Sequence, residues 1–257
     1  MAYSYGVTLL ILCPLVFLAA FIDSIAGGGG LISLPAYIAM GIPIHTAGGT
    51  NKFSSSIGTL AAVINYIRYG SVDFPAAVSG GVFAILGAFT GTRLALSLSP
   101  YILRICLLVI LPIVGIFIFT SRGLRNPAPK KPLSFRRKVI TCAAIGLIFG
   151  CYDGFFGPGT GMFMTLALNF LVRLELIKSA GTTKVLNFSS NIASMFTWLA
   201  NGKVLFPIAI PCMFFSVAGG FLGSRMAVKV GHKLIRLILA LVSILLFAKV
   251  LLDLIGI

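Results

Sequence analysis

Apolar runs as long as a bilayer is thick, such as Leu234–Leu252 and Ile102–Thr120, leave a chain few ways to fold. In hydrocarbon every backbone polar group must be satisfied internally, so only helices and closed β-barrels can span. A barrel would read as ~10-residue segments alternating apolar and polar residues. These runs do not alternate, so helices are expected. The whole chain agrees: 58% of its 257 residues are apolar and only 10% are charged. A soluble domain is nearer ~45–50% apolar and ~25% charged. The fold class expected is an all-α integral membrane protein, multi-pass, with lipid covering much of its surface.

Breaks between the runs place ten helical segments, near 6–26, 31–41, 46–67, 75–97, 101–121, 138–156, 160–172, 178–200, 207–229 and 233–255. Two of them, 31–41 and 160–172, are shorter than the ~20 residues a spanning helix needs. Each follows a glycine-rich break, Gly27–Gly30 in one case and Gly157–Gly161 in the other.

Those short segments match because the chain repeats itself. Positions 48–107 shifted by 132 fall on 180–239 without a gap, with 17 of 60 residues identical. Thr50 meets Thr182, Lys52 meets Lys184, Gly70 meets Gly202 and Arg93 meets Arg225. Upstream the shift becomes 130, pairing Asp23 with Asp153 and Gly27 with Gly157. Two apolar helices match easily by composition, whereas paired basic residues within apolar helices do not. The expected domains are a first membrane repeat over 1–121, a basic cytoplasmic linker over 122–137 and a second membrane repeat over 138–257.

Charge fixes the expected orientation. Seven Lys or Arg lie in Arg122–Lys138, and cytoplasmic loops carry such an excess. If each short segment folds back on its predecessor, each half makes an odd number of crossings. Seven more basic residues, Arg68, Arg173, Lys178, Arg225, Lys229, Lys233 and Arg236, then join that side. Arg93, Arg104 and Lys203 fall at outer ends. The odd count makes the halves inverted relative to each other, each with a broken or re-entrant helical hairpin plus three spanning helices. Inverted repeats with interrupted helices are the architecture of secondary transporters, whose site lies at the repeat interface near mid-membrane. The net charge of +15 is therefore read as topology signal and contact with anionic membrane lipids, with no nucleic acid partner.

The duplicated polar stretches carry the chemistry. Thr46–Ser56 and Ser179–Asn191 are helix starts rich in hydroxyls and amides, each holding a lysine, Lys52 or Lys184. Helix N-termini offer free N–H groups and partial positive charge to anions. No acid lies on either stretch, so a small anionic substrate is the expected neutralising partner, with snorkelling of the lysines to an interface as the alternative. The candidate substrate-binding residues are Lys52, Lys184, Thr50, Asn51, Thr182, Thr183 and Asn187. Gly28, Gly29 and Gly159 join them, because glycine lets backbone N–H groups face a ligand, although tight helix packing uses glycine equally. Asp23 and Asp153 are candidates for proton or sodium coupling or, alternatively, for holding a loop N–H in the breaks.

Other chemistries have little material. The chain holds five acids, two histidines and five scattered cysteines without a CxxC pair. No enzyme activity, metal or cofactor is expected. His45 and His232 sit near helix ends, and Arg93 and Arg225 read as helix-end anchors. An anion channel remains the alternative to a transporter, and a homodimer is compatible with the sequence.

Four stretches resemble the TauE/SafE family of sulfite exporters and probable membrane transporters. They are Ala26–Pro35, Gly49–Lys52, Tyr152–Gly161 and Lys184–Asn191, in the right order across nearly the whole chain. The resemblance implies a carrier of sulfite, organosulfonates or related sulfur anions in a bacterial plasma (inner) membrane. The family supplies the sulfur; the lysines and helix starts supply only the negative charge.

Overall fold

A computed structural model describes residues 4–109 except 104, 107 and 108, and 133–238 except 156, 232 and 236. Within them the fold is all-helical: α1 (Tyr5–Ala26), α2 (Gly30–Ala39), α3 (Ile44–Arg68), α4 (Phe74–Ser97), α5 (Phe135–Phe155), α6 (Thr160–Ala167), α7 (Leu176–Ala200) and α8 (Phe206–Val230). A π-helical turn, Leu168–Val172, extends α6. Most of segments 101–121 and 233–255 and of the basic linker, as well as His232 and the C-terminus, lie outside the described residues.

Helices α1, α4, α5 and α8 are long and apolar enough to cross a bilayer. Helix α4 shows how they sort their faces. Val78, Val82, Leu86 and Phe89, spaced by three or four, point outward, while Gly80, Ala84, Gly87, Ala88 and Gly91 point in. Lipid is as apolar as leucine, so large side chains gain nothing by hiding. Small inward residues let backbones approach, and van der Waals contact then holds helices together. A Cβ on Gly87 would fall on the Leu147 carbonyl, and one on Gly154 on the Ala88 carbonyl, so α4 and α5 touch through backbone. Helices α1 and α8 meet in the same way through Gly219 and Phe17.

Of the long helices, α3 and α7 bury the largest share of their residues, many of them polar. Each has 25 residues, a length of ~37 Å at 1.5 Å per residue. They bury Lys52, Thr59 and Asn65 from α3, and Lys184, Asn187 and Asn191 from α7. Among the described residues no buried side-chain N or O lacks a hydrogen-bond partner, the condition for keeping them there.

Contacts set the helix directions. Tyr5 at the start of α1 donates to the Pro207 carbonyl at the start of α8, and Phe53 in the first half of α3 meets Phe206 edge-on at 5.6 Å. Further along, Asn65 donates to Ser224 Oγ at 2.9 Å. Thus α1, α3 and α8 run parallel, and α2 carries the chain back after α1. The start of α3 also touches the end of α7, through Gly49 and Trp198, while the end of α3 meets the start of α7 through Tyr66 and Gly181. The two matching helices are therefore antiparallel.

The two halves also exchange equivalent bonds. Thr50 Oγ1 accepts from the Leu205 amide at 3.1 Å, and Thr182 Oγ1 accepts from the Asp73 amide at 3.0 Å. Gly70 and Gly202, the shared turn positions, have the same φ of 64°.

Candidate functional site

Both short helices start at breaks that only glycine fits. Gly27 and Gly28 end α1 with φ of 84° and 98°, and Gly157 and Gly159 precede α6 with φ of 87° and 83°. The breaks pack tip to tip: a Cβ on Gly27 would fall on the Met162 amide and the Gly161 carbonyl carbon. The hairpins of the two halves therefore meet in the interior, and the aspartates that precede the breaks arrive beside the lysines of α3 and α7.

The pairing is crossed. Lys52 Nζ, from α3, donates to Asp153 Oδ2 at 2.7 Å, and Lys184 Nζ, from α7, donates to Asp23 Oδ2 at 2.8 Å. This corrects the expectation that an anion alone could neutralise the lysines. The acid is absent from each lysine's own stretch because it comes from the opposite half. Side-chain exposures are 7% and 3% for Lys52 and Asp153, and 1% and 22% for Lys184 and Asp23. At such burial the lysines do not snorkel.

Second partners complete each pair. Lys52 also donates to Asn191 Oδ1 at 2.7 Å, and Ser190 Oγ donates to Asp153 Oδ2 at 2.6 Å. Asn191 Nδ2 in turn donates to Asn187 Oδ1 at 3.2 Å. Asp23 Oδ1 accepts from the Gly29 amide at 3.1 Å, so this aspartate holds a loop N–H in the break. Its counterpart is held by side chains instead.

A cavity of about 50 Å³ lies among these groups. Of the expected site residues it brings together Lys52, Asn51, Asn187, Gly29, Asp23 and Asp153. It also draws in Asn191, Ser54, Ser55, Thr59, Gly157 and Gly161, which the sequence reading left out of the site. Spacing could have found Asn191: residues 184, 187 and 191 share one helical face.

The remaining expected residues fall outside this lining. Lys184 is hidden behind Asp23. Thr50 and Thr182 spend their oxygens on backbone amides of the facing half, and Thr183 Oγ1 pairs with Thr165 Oγ1 at 3.1 Å. Gly28 and Gly159 shape the breaks without lining the cavity. Among the described residues no cluster of metal-ligating side chains occurs, His45 meets the Ala95 carbonyl at 3.2 Å, and Arg93 lies over the Phe89 ring at 4.3 Å.

An apolar exterior, helices too polar for lipid at the centre, and a small polar cavity between two broken hairpins define a multi-pass helical membrane protein built around an internal site. Residues 12–250 match the family model described as sulfite exporter TauE/SafE, and the chain belongs to that family. It is 35% identical to a probable membrane transporter protein of Haemophilus influenzae, over 92% of each chain. A probable membrane transporter protein of a Sinorhizobium species, ORF9, is 36% identical over 92% of this chain and 90% of its own. The probable membrane transporter protein YfcA of Escherichia coli K12 is 33% identical, over 92% and 87% respectively. No solved structure matches the chain. This is a membrane transporter family, and its relatives are named as transporters rather than enzymes.

Proposed function

We propose that this chain is a secondary transporter of small sulfur-containing anions, sulfite, a sulfonate or a related oxyanion, working by alternating access in a bacterial inner membrane. The observation that carries the reading is the polar cavity at Lys52, the cation that faces it from the core of a lipid-facing bundle. Lys52 with Asn51, Asn187 and Asn191 offers an oxyanion one charged and several neutral donors. The antiparallel α3 and α7 and their exchanged bonds support repeats inverted across the membrane, 1–121 and 138–257, joined by a cytoplasmic linker at 122–137.

The ion pairs impose a condition on transport. Two lysines and two aspartates already cancel, so a bare anion would leave a net charge in a dehydrated site, at a cost of several kcal/mol. A proton arriving with a monoanion, such as bisulfite or a monosulfonate, removes that cost. It neutralises one carboxylate, and the freed ammonium holds the anion. The sulfur anion and the proton are therefore proposed to travel together.

The test is uptake of labelled sulfite, with sulfate, thiosulfate, sulfoacetate and taurine as competitors, into proteoliposomes with an imposed pH gradient. Expected are uptake driven by an acidic outside and alkalinisation of the outer medium with each anion. Uptake at a rate indifferent to the gradient would refute the proton, and absence of uptake for every sulfur anion would refute the substrate class.

A further inference from the structure

Asn51 and Lys52 line a second cavity as well. It has a volume of about 30 Å³ and a different character, with walls formed by Leu34, Ile44, Gly48, Leu103, Phe155 and Trp198. The Trp198 ring packs on α3 at this cavity, 3.4 Å from where a Cβ on Gly48 would stand. Trp198 is otherwise buried, and it is the only tryptophan in the chain.

The two cavities lie on opposite sides of Asn51 and Lys52 along the α3 axis. Ile44 and Gly48 precede the lysine by one to two turns and line only the apolar cavity. Ser55, Thr59 and Ala62 follow it by one to three turns and line only the polar one. From Gly48 to Ala62 is ~21 Å of helix rise, against a hydrocarbon thickness of ~30 Å. The cavities therefore face opposite ends of a helix long enough to span. The Lys184 side of the duplication has no such position: Lys184 lines neither cavity.

We propose that the two cavities are the halves of one permeation path, that Asn51 and Lys52 with its Asp153 partner form the partition between them, and that Trp198 covers the far end. The duplicated lysines then have different work. Lys52 stands in the path, and Lys184 braces Asp23 beside it. This rests on the reading of the polar cavity as the anion site, but the path has its own signature, accessibility from two faces.

The experiment uses the full chain with its five cysteines replaced, reconstituted in one orientation, carrying Gly48→Cys or Ser55→Cys. A membrane-impermeant anionic thiol reagent is added to one face at a time. The two positions are expected to label from opposite faces, although they are only seven residues apart. Labelling of both from the same face, or of neither, overturns the path. Because the cysteine-free chain could fail to assemble, Gly48→Leu in the native chain gives a second measure. Its side chain would fill the apolar cavity and stop sulfite flux, while Val78→Leu on the lipid face leaves flux intact. Wild-type flux through Gly48→Leu would equally overturn the path. Opposite-face labelling in a chain that moves no sulfur anion would refute the substrate reading and leave the path standing.

Discussion

The ion pairs Lys52–Asp153 and Lys184–Asp23 are one interaction built twice, and the fold has put each copy in a different setting. In the first, the ammonium faces the cavity with Asn191 as a second acceptor, and the carboxylate is 3% exposed. In the second, the carboxylate faces the cavity at 22% exposure, and the ammonium is sealed at 1% with Asp23 as its acceptor among the described residues. Duplication alone would have given two equivalent sites. Instead the cavity is lined by Lys52 and by both aspartates, Asp23 being the more exposed, while Lys184 is hidden. Symmetry of sequence guarantees matching parts, but which part meets solvent depends on packing that the two halves need not share.

Stability should expose the difference most strongly, and in a crossed pattern. Removing one partner of a buried pair costs about 3–5 kcal/mol, because the other charge is left alone. Lys52→Met leaves Asp153, 3% exposed, without its counter-charge and with the Ser190 hydroxyl as its remaining donor, and Asp23→Ala strands Lys184, 1% exposed, so both should lose that much. Lys184→Met leaves an aspartate in contact with the cavity, and Asp153→Ala leaves a lysine that keeps Asn191, so both should lose clearly less. Thermal unfolding of the purified variants measures this, and equal losses in all four would erase the proposed asymmetry.

The breaks offer a second contrast. Gly27→Ala forces a methyl into the Met162 amide at φ 84° and ψ 171°, which adds overpacking of about 1–3 kcal/mol to conformational strain of about 1–3 kcal/mol. Gly157→Ala meets nothing nearer than 3.4 Å and should lose only the strain, about 1–2 kcal/mol. Yield and melting temperature of the two variants rank them, and a Gly157→Ala protein no more stable than Gly27→Ala would show that the tips do not pack as described.

Binding separates the lysines directly. If the cavity holds the anion, Lys52→Ala should lose a charge-assisted hydrogen bond, about 1.5–3 kcal/mol or roughly tenfold to a hundredfold in affinity. Lys184→Ala should change affinity far less once its folded fraction is matched. Calorimetric titration with sulfite decides, and equal losses would restore a site shared by both lysines.

The smallest expected effect is the most symmetric. Thr50→Val and Thr182→Val each remove the acceptor of one backbone amide in the facing half, worth about 1 kcal/mol of stability. Sulfite affinity should not move in either variant. A weaker titration for Thr50→Val alone would place that hydroxyl back in the binding site.

Much of this was legible in the chain. The starts and ends of α1, α3, α4, α7 and α8 follow from apolar runs interrupted by Gly70, Gly202, Pro75 and Pro207, all local signals. Asp23, Lys52, Asp153 and Lys184 stood out because charge within apolar helices is costly and because each recurred in the repeat. The error concerned their company. Each lysine was read against its own stretch, where no acid lies, whereas its partner is 101 or 161 residues away. Thr50, Thr182 and Thr183 looked like ligands because they flank the lysines, yet consecutive residues on a helix point in different directions.

By itself, then, the sequence determined that this chain is a bundle of helices in lipid, that it is made of two related halves, and which few polar groups those halves must hold inside. These follow from additive, local quantities: the hydropathy of a run, the glycines in a break and the recurrence of a pattern. Only the tertiary structure decided that the ion pairs cross between the halves, that Asn191 and Ser190 complete one of them, and that Lys52 faces the cavity while Lys184 does not. A buried charge demands a partner but does not specify where in the chain it comes from, and two packings of the same motif differ only in which neighbours reach it first.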